Sequence, residues 1–504
     1  MLVSTDTPRR VRPDGPAPPA RPADGRRIPV PAGLRRVAGI TGSLVGTQAL
    51  TSVLGLVFWT LAARTFVESE VGVAGAAVSM MMLLGAFGSL GLGTLLIARL
   101  PITPAGQRRV LVRTCLAAAA AAAGLLALVF PPVAVHAFGA QNLAPLVDTP
   151  AALAGLVLGT ALFSMTIVLD QAVLTIGIGS LQLERNIAAS VIKVLALLAL
   201  SALGAGAGMA IFLAWTIGSL LSLPLIPWRT RAGRGAIGGR ADADRRWIAP
   251  AMLPGLGRDA MSHHALNITV QAALQILPIL VTVLLTAQDN AYFNSAVLLS
   301  GFVFALPYAI TIGLFAAAGG DERQTLERMR VTIPVGLIVS LGAYLVLFPF
   351  AGVALSLFGS NYAEQGGDIL RVLVLAGLPF VVKDHYVALR RVQNRTASAV
   401  RLVGIFLVVE LAAAGVGAVA GGTLGLCLAW VAVLFLEAGV LAVPLHREWR
   451  RMRSSSPIAP RAARRTPGAH RWTAPAPGTA GCDVVSVAAA AGFALDLSAR
   501  RRRR

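Results

Sequence analysis

Residues 165–176 read MTIVLDQAVLTI, and Asp170 lies in the middle of this apolar run. A helix of about 20 apolar residues crosses the ~30 Å hydrocarbon core of a membrane. A carboxylate within such a helix is costly, so it is normally paired with a cation or serves a function. The run therefore indicates a membrane-spanning helix, with Asp170 as either half of a buried ion pair or part of a functional site.

The composition of the whole chain supports a polytopic membrane protein. Of its 504 residues, 56% are hydrophobic and 13% are charged, and the mean hydropathy is +0.72, whereas soluble domains carry about 25% charged residues. Helices satisfy their own backbone hydrogen bonds in lipid, which favours an all-α fold. The net charge of +21 would suggest nucleic acid in a soluble protein. Here we expect no nucleic-acid partner, because the basic residues follow the membrane topology.

The apolar stretches predict twelve transmembrane helices with both termini in the cytoplasm. Of the 44 Lys and Arg residues, all but Arg64, Arg371 and Lys383 lie in the tails or in or near the even-numbered loops, as the positive-inside rule requires. The predicted spans are residues 37–62, 71–98, 110–132, 151–178, 187–205, 208–228, 260–286, 291–317, 330–351, 369–389, 397–419 and 423–445.

The segments outside these spans are polar and basic. Residues 1–36 contain no short apolar core of the kind found in signal peptides, and we expect a disordered cytoplasmic tail. Residues 229–259 form a predicted basic cytoplasmic linker. Residues 446–504 are rich in Arg, Pro and Ala, which predicts a second disordered tail. The three cysteines imply no disulfide framework.

Four pairs of segments recur in the same order in the two halves of the chain. Segment 168-VLDQAVLTI-176 resembles 382-VKDHYVALR-390, and 189-ASVIKVL-195 resembles 397-ASAVRLV-403. Two further pairs join 70-EVGVAGAAV-78 with 289-DNAYFNSAV-297, and 213-LAWTIGSLLSLPL-225 with 428-LAWVAVLFLEAGVLAVPL-445. The repeat predicts two six-helix lobes, residues 37–228 and 260–445, with a central cleft between them.

The repeat places Asp170 over Asp384 and Lys193 over Arg401. Asp170 lies ~14 Å and Lys193 ~10 Å from the predicted cytoplasmic surface, at 1.5 Å per helical residue. One interpretation is a buried salt bridge in each lobe, joining two consecutive helices. The other is that the cations face the cleft and bind an anionic head group. The first is slightly favoured, because a feature of the fold would appear in both halves.

A stripe of polar side chains provides the best candidates for the wall of the cleft. Asn267, Gln271 and Gln275 lie on one face of a predicted helix, and Gln48 and Ser52 are their counterparts in the first lobe. Amides are unfavourable against lipid, so the stripe should face protein or water. Hydrogen bonding between helices is an equally good explanation. Further candidate binding cations within or beside spans are Arg64 and Lys383.

Glu410 and Glu437 are the acidic residues of the last two predicted spans. Intramembrane carboxylates are candidates for coupling transport to protons or sodium ions, as are Asp170 and Asp384. A hydrogen-bonded or protonated carboxyl group with a structural role is the alternative. We expect no metal site and no cofactor other than such a coupling ion.

The chain resembles polysaccharide flippases in the stretches 59-WTLAARTFVESEVGVAGAAVSM-80, 88-GSLGLGTLLIARL-100 and 170-DQAVLTIGIGSLQLERN-186. These flippases are the Wzx-like branch of the MATE-like superfamily, which also contains multidrug exporters. The resemblance implies two six-helix lobes around a cationic cavity. It also implies alternating access for a polyprenyl-pyrophosphate-linked oligosaccharide in the bacterial plasma membrane. A polysaccharide polymerase and glycosyltransferases are the expected partners, together with membrane lipids.

Two other functional classes compete with a flippase. A cation-coupled exporter of small molecules would use Glu410, Glu437 and Asp170 for coupling. A membrane enzyme is disfavoured, because the odd-numbered loops are short and poor in acidic residues and histidine. We therefore expect a transporter without catalytic residues.

Overall fold

The apolar stretches of the sequence form helices in the computed structural model, which describes residues 50–175, 179–204, 207–226, 228, 248–253, 258–318 and 321–454. The helices are α1 (Leu50–Thr65), α2 (Glu68–Gly88), α3 (Leu92–Arg99), α4 (Ala105–His136), α5 (Pro150–Thr175), α6 (Gly179–Ala202), α7 (Ala207–Ser222), α8 (Arg258–Leu284), α9 (Ala287–Ala318), α10 (Glu322–Leu355), α11 (Ser360–Val374), α12 (Gly377–Val392) and α13 (Thr396–Ser454).

The prediction of an all-α, polytopic fold is confirmed. Eight helices in the described part of the chain are long and apolar enough to cross a membrane, and the bent pair α11–α12 provides a ninth candidate span. Helices α1, α3 and α7 are apolar but shorter. The count of twelve spans and the cytoplasmic position of both termini stay predictions.

Three of the helical stretches are interrupted. The second predicted span divides into α2 and α3, because Leu90 (φ 49°) and Gly91 (φ 69°) adopt left-handed backbone conformations. The tenth divides into α11 and α12, which meet at 40°. Helix α13 has non-helical geometry at Gly421 and at Gly422, whose φ of 62° favours glycine. Its two arms therefore correspond to the last two predicted spans.

Several helices extend beyond the apolar core of their spans. Helix α6 begins at Gly179, before the predicted start at residue 187. Helix α10 begins at Glu322, where Asp321 caps it by accepting hydrogen bonds from the backbone N–H groups of Arg323 and Gln324 at 2.8 and 3.1 Å. Helix α13 ends at Ser454, so the predicted lobe boundary at residue 445 falls inside a helix. The N-terminal tail, most of the linker and residues 455–504 lie outside the described residues.

The buried side chains form one core that both halves of the chain share and smaller cores that belong to one half. The shared core combines Val71 and Met80 of α2 with Tyr292 of α9 and with Phe358 and Tyr362 beside the α10–α11 loop. It lies toward the end of the bundle that carries this loop and the α1–α2 and α8–α9 loops. The charge pattern predicts that this end faces outward, and we call it the predicted outer end.

Toward the opposite end, each half packs around its own residues. Buried residues 92–226 form two cores in the first half, around Leu96 and Val173. Buried residues 266–445 form a core in the second half, around Tyr386 and Leu441. The two halves are thus packed together at the predicted outer end and have separate cores at the predicted inner end.

Candidate functional site

Asp170 forms a two-point ion pair with Arg185. Nε and Nη2 of Arg185 donate to the two carboxylate oxygens of Asp170 at 3.0 and 2.8 Å. Nη2 also donates to Oδ1 of Asn186 at 2.7 Å, and Nη1 to Oγ of Ser222 at 3.4 Å. The Arg185 side chain is 4% exposed and that of Asp170 is 16% exposed. This network joins α5, α6 and α7.

The predicted pairing of Asp170 with Lys193 is therefore wrong. The apolar pattern placed the start of the span at residue 187 and left Arg185 in a loop. Because α6 begins at Gly179, Arg185 lies inside the helix and meets α5. The bidentate geometry of an arginine–carboxylate pair adds specificity that a lysine would not provide.

Lys193 lies against an aromatic face instead. Its Nζ is 3.4 Å from the centroid of the Trp215 ring on α7, a cation–π contact. Gly218 lets the two helices approach, since a Cβ there would lie 2.4 Å from Cγ of Lys193. The lysine is half-buried and forms no ion pair with a carboxylate of the described residues. It is a cation in the first half that an anionic ligand could engage.

Lys383 lies at the centre of a buried cluster in the second half. Its Nζ is 3.0 Å from Oε1 of Glu410 and 2.9 Å from Oε2 of Glu437, and Nε1 of Trp430 donates to Oε2 of Glu410 at 2.9 Å. The three charged side chains are 3%, 0% and 1% exposed. The sequence indicated no pairing among these residues, and Lys383 was predicted to bind substrate. We call them the α12–α13 triad.

The repeat equates Trp430 with Trp215 of the first half, and both tryptophans contact charged side chains. The Trp215 ring lies against the Lys193 cation, whereas the Trp430 indole N–H donates to the Glu410 carboxylate. At equivalent positions, the tryptophan of the first half therefore contacts a positive charge and the tryptophan of the second half a negative charge. The charge distribution differs between them, even though the repeat predicts similar backbones.

Asp384 and Arg401 do not meet, so the second predicted pairing is also wrong. Arg401 is exposed on α13. Asp384 instead interacts electrostatically with the adjacent Lys383 and with Arg391. Arg391 follows two turns later on the same face of α12 and also interacts with Tyr308. Nη2 of Arg391 donates to Oδ1 of Asn267 at 2.5 Å. The sequence analysis had placed Arg391 in a cytoplasmic loop, as one of the basic residues that indicate the membrane topology.

The polar stripe on α8 is only partly withdrawn from solvent. Gln271 is exposed, and Asn267 and Gln275 are half-buried. Ser52 on α1 is half-buried as well, whereas Gln48 lies outside the described residues. With Arg391 and Asp384, the stripe gives the second half a polar surface in the region where the two halves have separate cores. Its role in binding stays a prediction.

Side-chain hydrogen bonds join the two halves at the predicted outer end. Arg64, predicted to line the cleft, donates through Nε and Nη2 to the carbonyl oxygens of Leu357 and Ser356 at 2.9 and 2.6 Å. Asn361 donates to Oε1 of Glu68 at 2.8 Å. These contacts, with those of Asn142 and Asn290, form what we call the outer clasp.

Asn142 and Asn290 complete the outer clasp through backbone carbonyl groups. Nδ2 of Asn142 donates to the carbonyl oxygens of Thr282 and Leu285 at 2.8 and 2.9 Å. Nδ2 of Asn290 donates to that of Gly72 at 2.8 Å. Arg64 and Asn142 both satisfy carbonyl groups at the carboxyl end of a helix in the other half, where a helix has no internal partners. Sequence reasoning missed Asn142, Asn290 and Asn361.

A cysteine introduced in place of Gln271 should react with a water-soluble thiol reagent applied from the cytoplasmic side. The background should lack Cys115, Cys427 and Cys482. A cysteine in place of Ala273, which is 5% exposed on the same helix, is the matched control and should not react. If both cysteines are equally protected from the reagent, position 271 is not on the solvent-accessible surface.

Solved structures of transporters share this fold. An inward-facing conformation of a multidrug resistance MATE family transporter of the MOP superfamily matches with a TM-score of 0.64 and 12% identity, over 81% of this chain and 96% of that one. An outward-facing conformation of such a transporter matches at 0.52 and 13%, over 82% and 96%. A MATE in the straight conformation matches at 0.53 and 14%, over 83% and 96%.

The likeness establishes a MATE-like fold. No family model matches the sequence, and no curated protein sequence is similar to it.

Proposed function

We propose that this chain is a multi-pass transporter of the bacterial plasma membrane. In this proposal it flips a polyprenyl-pyrophosphate-linked oligosaccharide by alternating access, with both termini in the cytoplasm. The arrangement of the buried cores is the observation that supports transport by alternating access. The halves are joined at one end by a shared core and the outer clasp, and at the other end their buried cores are separate, although α3 still touches α8 there. Such a molecule can rock about the region between the two ends.

The substrate class is inferred from two cations. Lys193 in the first half and Arg391 in the second form no ion pair within 4 Å of a carboxylate among the described residues. Arg391 lies near the predicted inner end, where the cores are separate, whereas Lys193 lies near the middle of α6, beside Trp215 at the edge of the shared core. A pyrophosphate group would gain charge-assisted hydrogen bonds from them. Glycosyltransferases would supply the substrate and a polysaccharide polymerase would consume the flipped product.

Replacing Lys193 or Arg391 with glutamine should reduce flipping by about tenfold or more. A hydrogen bond to a charged group contributes roughly 1.5–3 kcal/mol, and 1.4 kcal/mol corresponds to a factor of ten. The measurement is the scrambling of a lipid-linked oligosaccharide in vesicles that contain the purified protein. Arg401→Gln is the matched control and should transport normally, because Arg401 is an exposed side chain that belongs to neither cluster described above. If all three variants transport equally well, Lys193 and Arg391 do not bind the substrate.

A cation-coupled exporter of small molecules is the second candidate, favoured by the buried carboxylates of the α12–α13 triad. Mass spectrometry of lipid extracts from a deletion strain separates the two functions. Accumulation of one completed polyprenyl-pyrophosphate oligosaccharide, with loss of a surface glycan, supports the flippase. An unchanged lipid pool in a strain without a redundant flippase, together with hypersensitivity to cationic dyes, supports the exporter.

A further inference from the structure

The α12–α13 triad contains more acidic groups than basic ones. Lys383 lies between Glu410 on the first arm of α13 and Glu437 on the second, at 3.0 and 2.9 Å. Among the described residues, Lys383 and Glu410 are the ionisable groups that interact with Glu437. With every group ionised, the three side chains carry one net negative charge, and Lys383 also interacts electrostatically with the adjacent Asp384.

Such a charge is unfavourable at this position. The three side chains are at most 3% exposed, and an unbalanced charge in a membrane interior is strongly unfavourable. The cluster should therefore take up one positive charge. A sodium ion would need several oxygen ligands, as hard cations do. The Lys383 ammonium group already occupies the space between the two carboxylates where a metal ion would bind, which leaves a proton.

The contacts of the two carboxylates indicate which of them is protonated. Glu410 accepts hydrogen bonds from Lys383 at 3.0 Å and from Trp430 at 2.9 Å, and hydrogen bonds to a carboxylate stabilise its ionised form. Glu437 has one cationic contact, with Lys383 at 2.9 Å, and its other polar neighbour is the Glu410 carboxylate, whose negative charge disfavours a second ionised group. Protonation therefore costs less at Glu437.

We infer that the α12–α13 triad is a proton-binding site, with the proton on Glu437, and that this proton is the coupling ion of transport. The second part rests on the proposed function. The two carboxylates lie on arms of α13 that meet at Gly421 and Gly422. A change in the angle between the arms would move Glu437 relative to Lys383 and would change the affinity for the proton. The step is the reversible addition of H⁺ to a carboxylate, without any redox change.

Infrared spectroscopy of the purified full-length protein tests the site without any transport assay. The C=O stretch of a protonated carboxyl group that shifts in D₂O should be present at neutral pH. It should disappear in Glu437→Gln. It should also disappear in Glu410→Gln, because Lys383 would then balance an ionised Glu437. Glu327→Gln, at an exposed surface pair, is the control and should leave the band unchanged.

Lys383→Met should increase the band, because both carboxyl groups would then be protonated. A wild-type spectrum in which neither glutamine variant removes a carboxyl band would overturn the site. If Lys383→Met does not fold, Glu437→Gln and Glu410→Gln are sufficient to test the site.

Transport in vesicles tests the coupling. Wild-type transport should respond to a pH gradient and not to a sodium gradient, and Glu437→Gln should lose the pH response. A pH response that persists in Glu437→Gln would overturn the coupling role, even where the infrared band assigns the proton to Glu437. Failure of the proposed function is distinct, because transport of lipid-linked oligosaccharide would then be absent while the infrared result stands.

Discussion

Arg185→Ala will lower the free energy of unfolding by about 3–5 kcal/mol, the usual cost of removing one partner of a buried ion pair. Asp170 would remain buried without its two hydrogen bonds of 3.0 and 2.8 Å. The contacts of Arg185 with Ser222 and Asn186 would be lost as well. The measurement is denaturant unfolding of the purified protein in micelles, followed by tryptophan fluorescence.

Two further variants identify the ion pair as the cause. The double variant Arg185→Ala, Asp170→Ala should recover part of the loss, because it no longer leaves an unpaired buried charge. Lys193→Ala is the matched control and should be much less destabilising, since Lys193 does not contact Asp170. A loss in Lys193→Ala as large as that in Arg185→Ala would contradict this assignment.

Hydropathy is sufficient to locate the helices because burial in lipid acts on every residue of a span. Helices α4 and α5, at Ala105–His136 and Pro150–Thr175, contain or nearly match their predicted spans. The breaks after Gly88 and Val374 have no such signal, because the sequence stays apolar across them. They depend on local backbone geometry, as at Leu90 and Gly91.

Charged residues inside the bundle are harder to pair from sequence. Lys383 and Asp384 are adjacent, so their side chains point about 100° apart around α12, at 3.6 residues per turn. The lysine consequently meets the arms of α13, whereas the aspartate lies on the face of Arg391. The repeat predicted equal pairs in both halves, but Arg185 has no arginine at the equivalent position, and the second half arranges its charges differently.

The outer clasp shows a second limit of sequence reasoning. Asn142 lies in a short 3-10 helix between α4 and α5, and Asn361 lies at the start of α11, so neither belongs to a long periodic pattern. Their partners are backbone carbonyl or carboxylate groups more than a hundred residues away. Such contacts become visible only when the relative position of the two halves is known.

Gly72→Val should open the predicted outer end of the protein. A Cβ at Gly72 would lie 1.6 Å from the carbonyl oxygen of Ala287 and 3.2 Å from the backbone nitrogen of Ala291. Both are backbone atoms of α9, which cannot rotate away as a side chain can. The valine side chain is therefore incompatible with the present contact between α2 and α9, and with the hydrogen bond from Asn290 to Gly72.

The expected result is a change of conformation and not a loss of folding. Helices α2 and α9 belong to opposite halves, so the halves can separate at this point while the inner cores of each remain packed. Reversing a 99:1 preference between two states requires about 5.5 kcal/mol, and an overlap of this size with backbone atoms is well able to supply it. A cysteine in place of Gln271 should then react with a membrane-impermeant reagent applied from outside.

Gly75→Ala is the matched control on the same helix. Its Cβ would lie 3.3–3.4 Å from amide groups of Asn290 and Asn294, which are side-chain atoms that can shift by a few tenths of an ångström. It should label from the cytoplasmic side alone, as the parent protein should. If Gly72→Val labels in the same way as Gly75→Ala, the contact between α2 and α9 does not close the outer end. If it labels from outside and no longer transports, closure at Gly72 is a required step of each cycle, because a transporter held open on one side cannot return its binding site to the other.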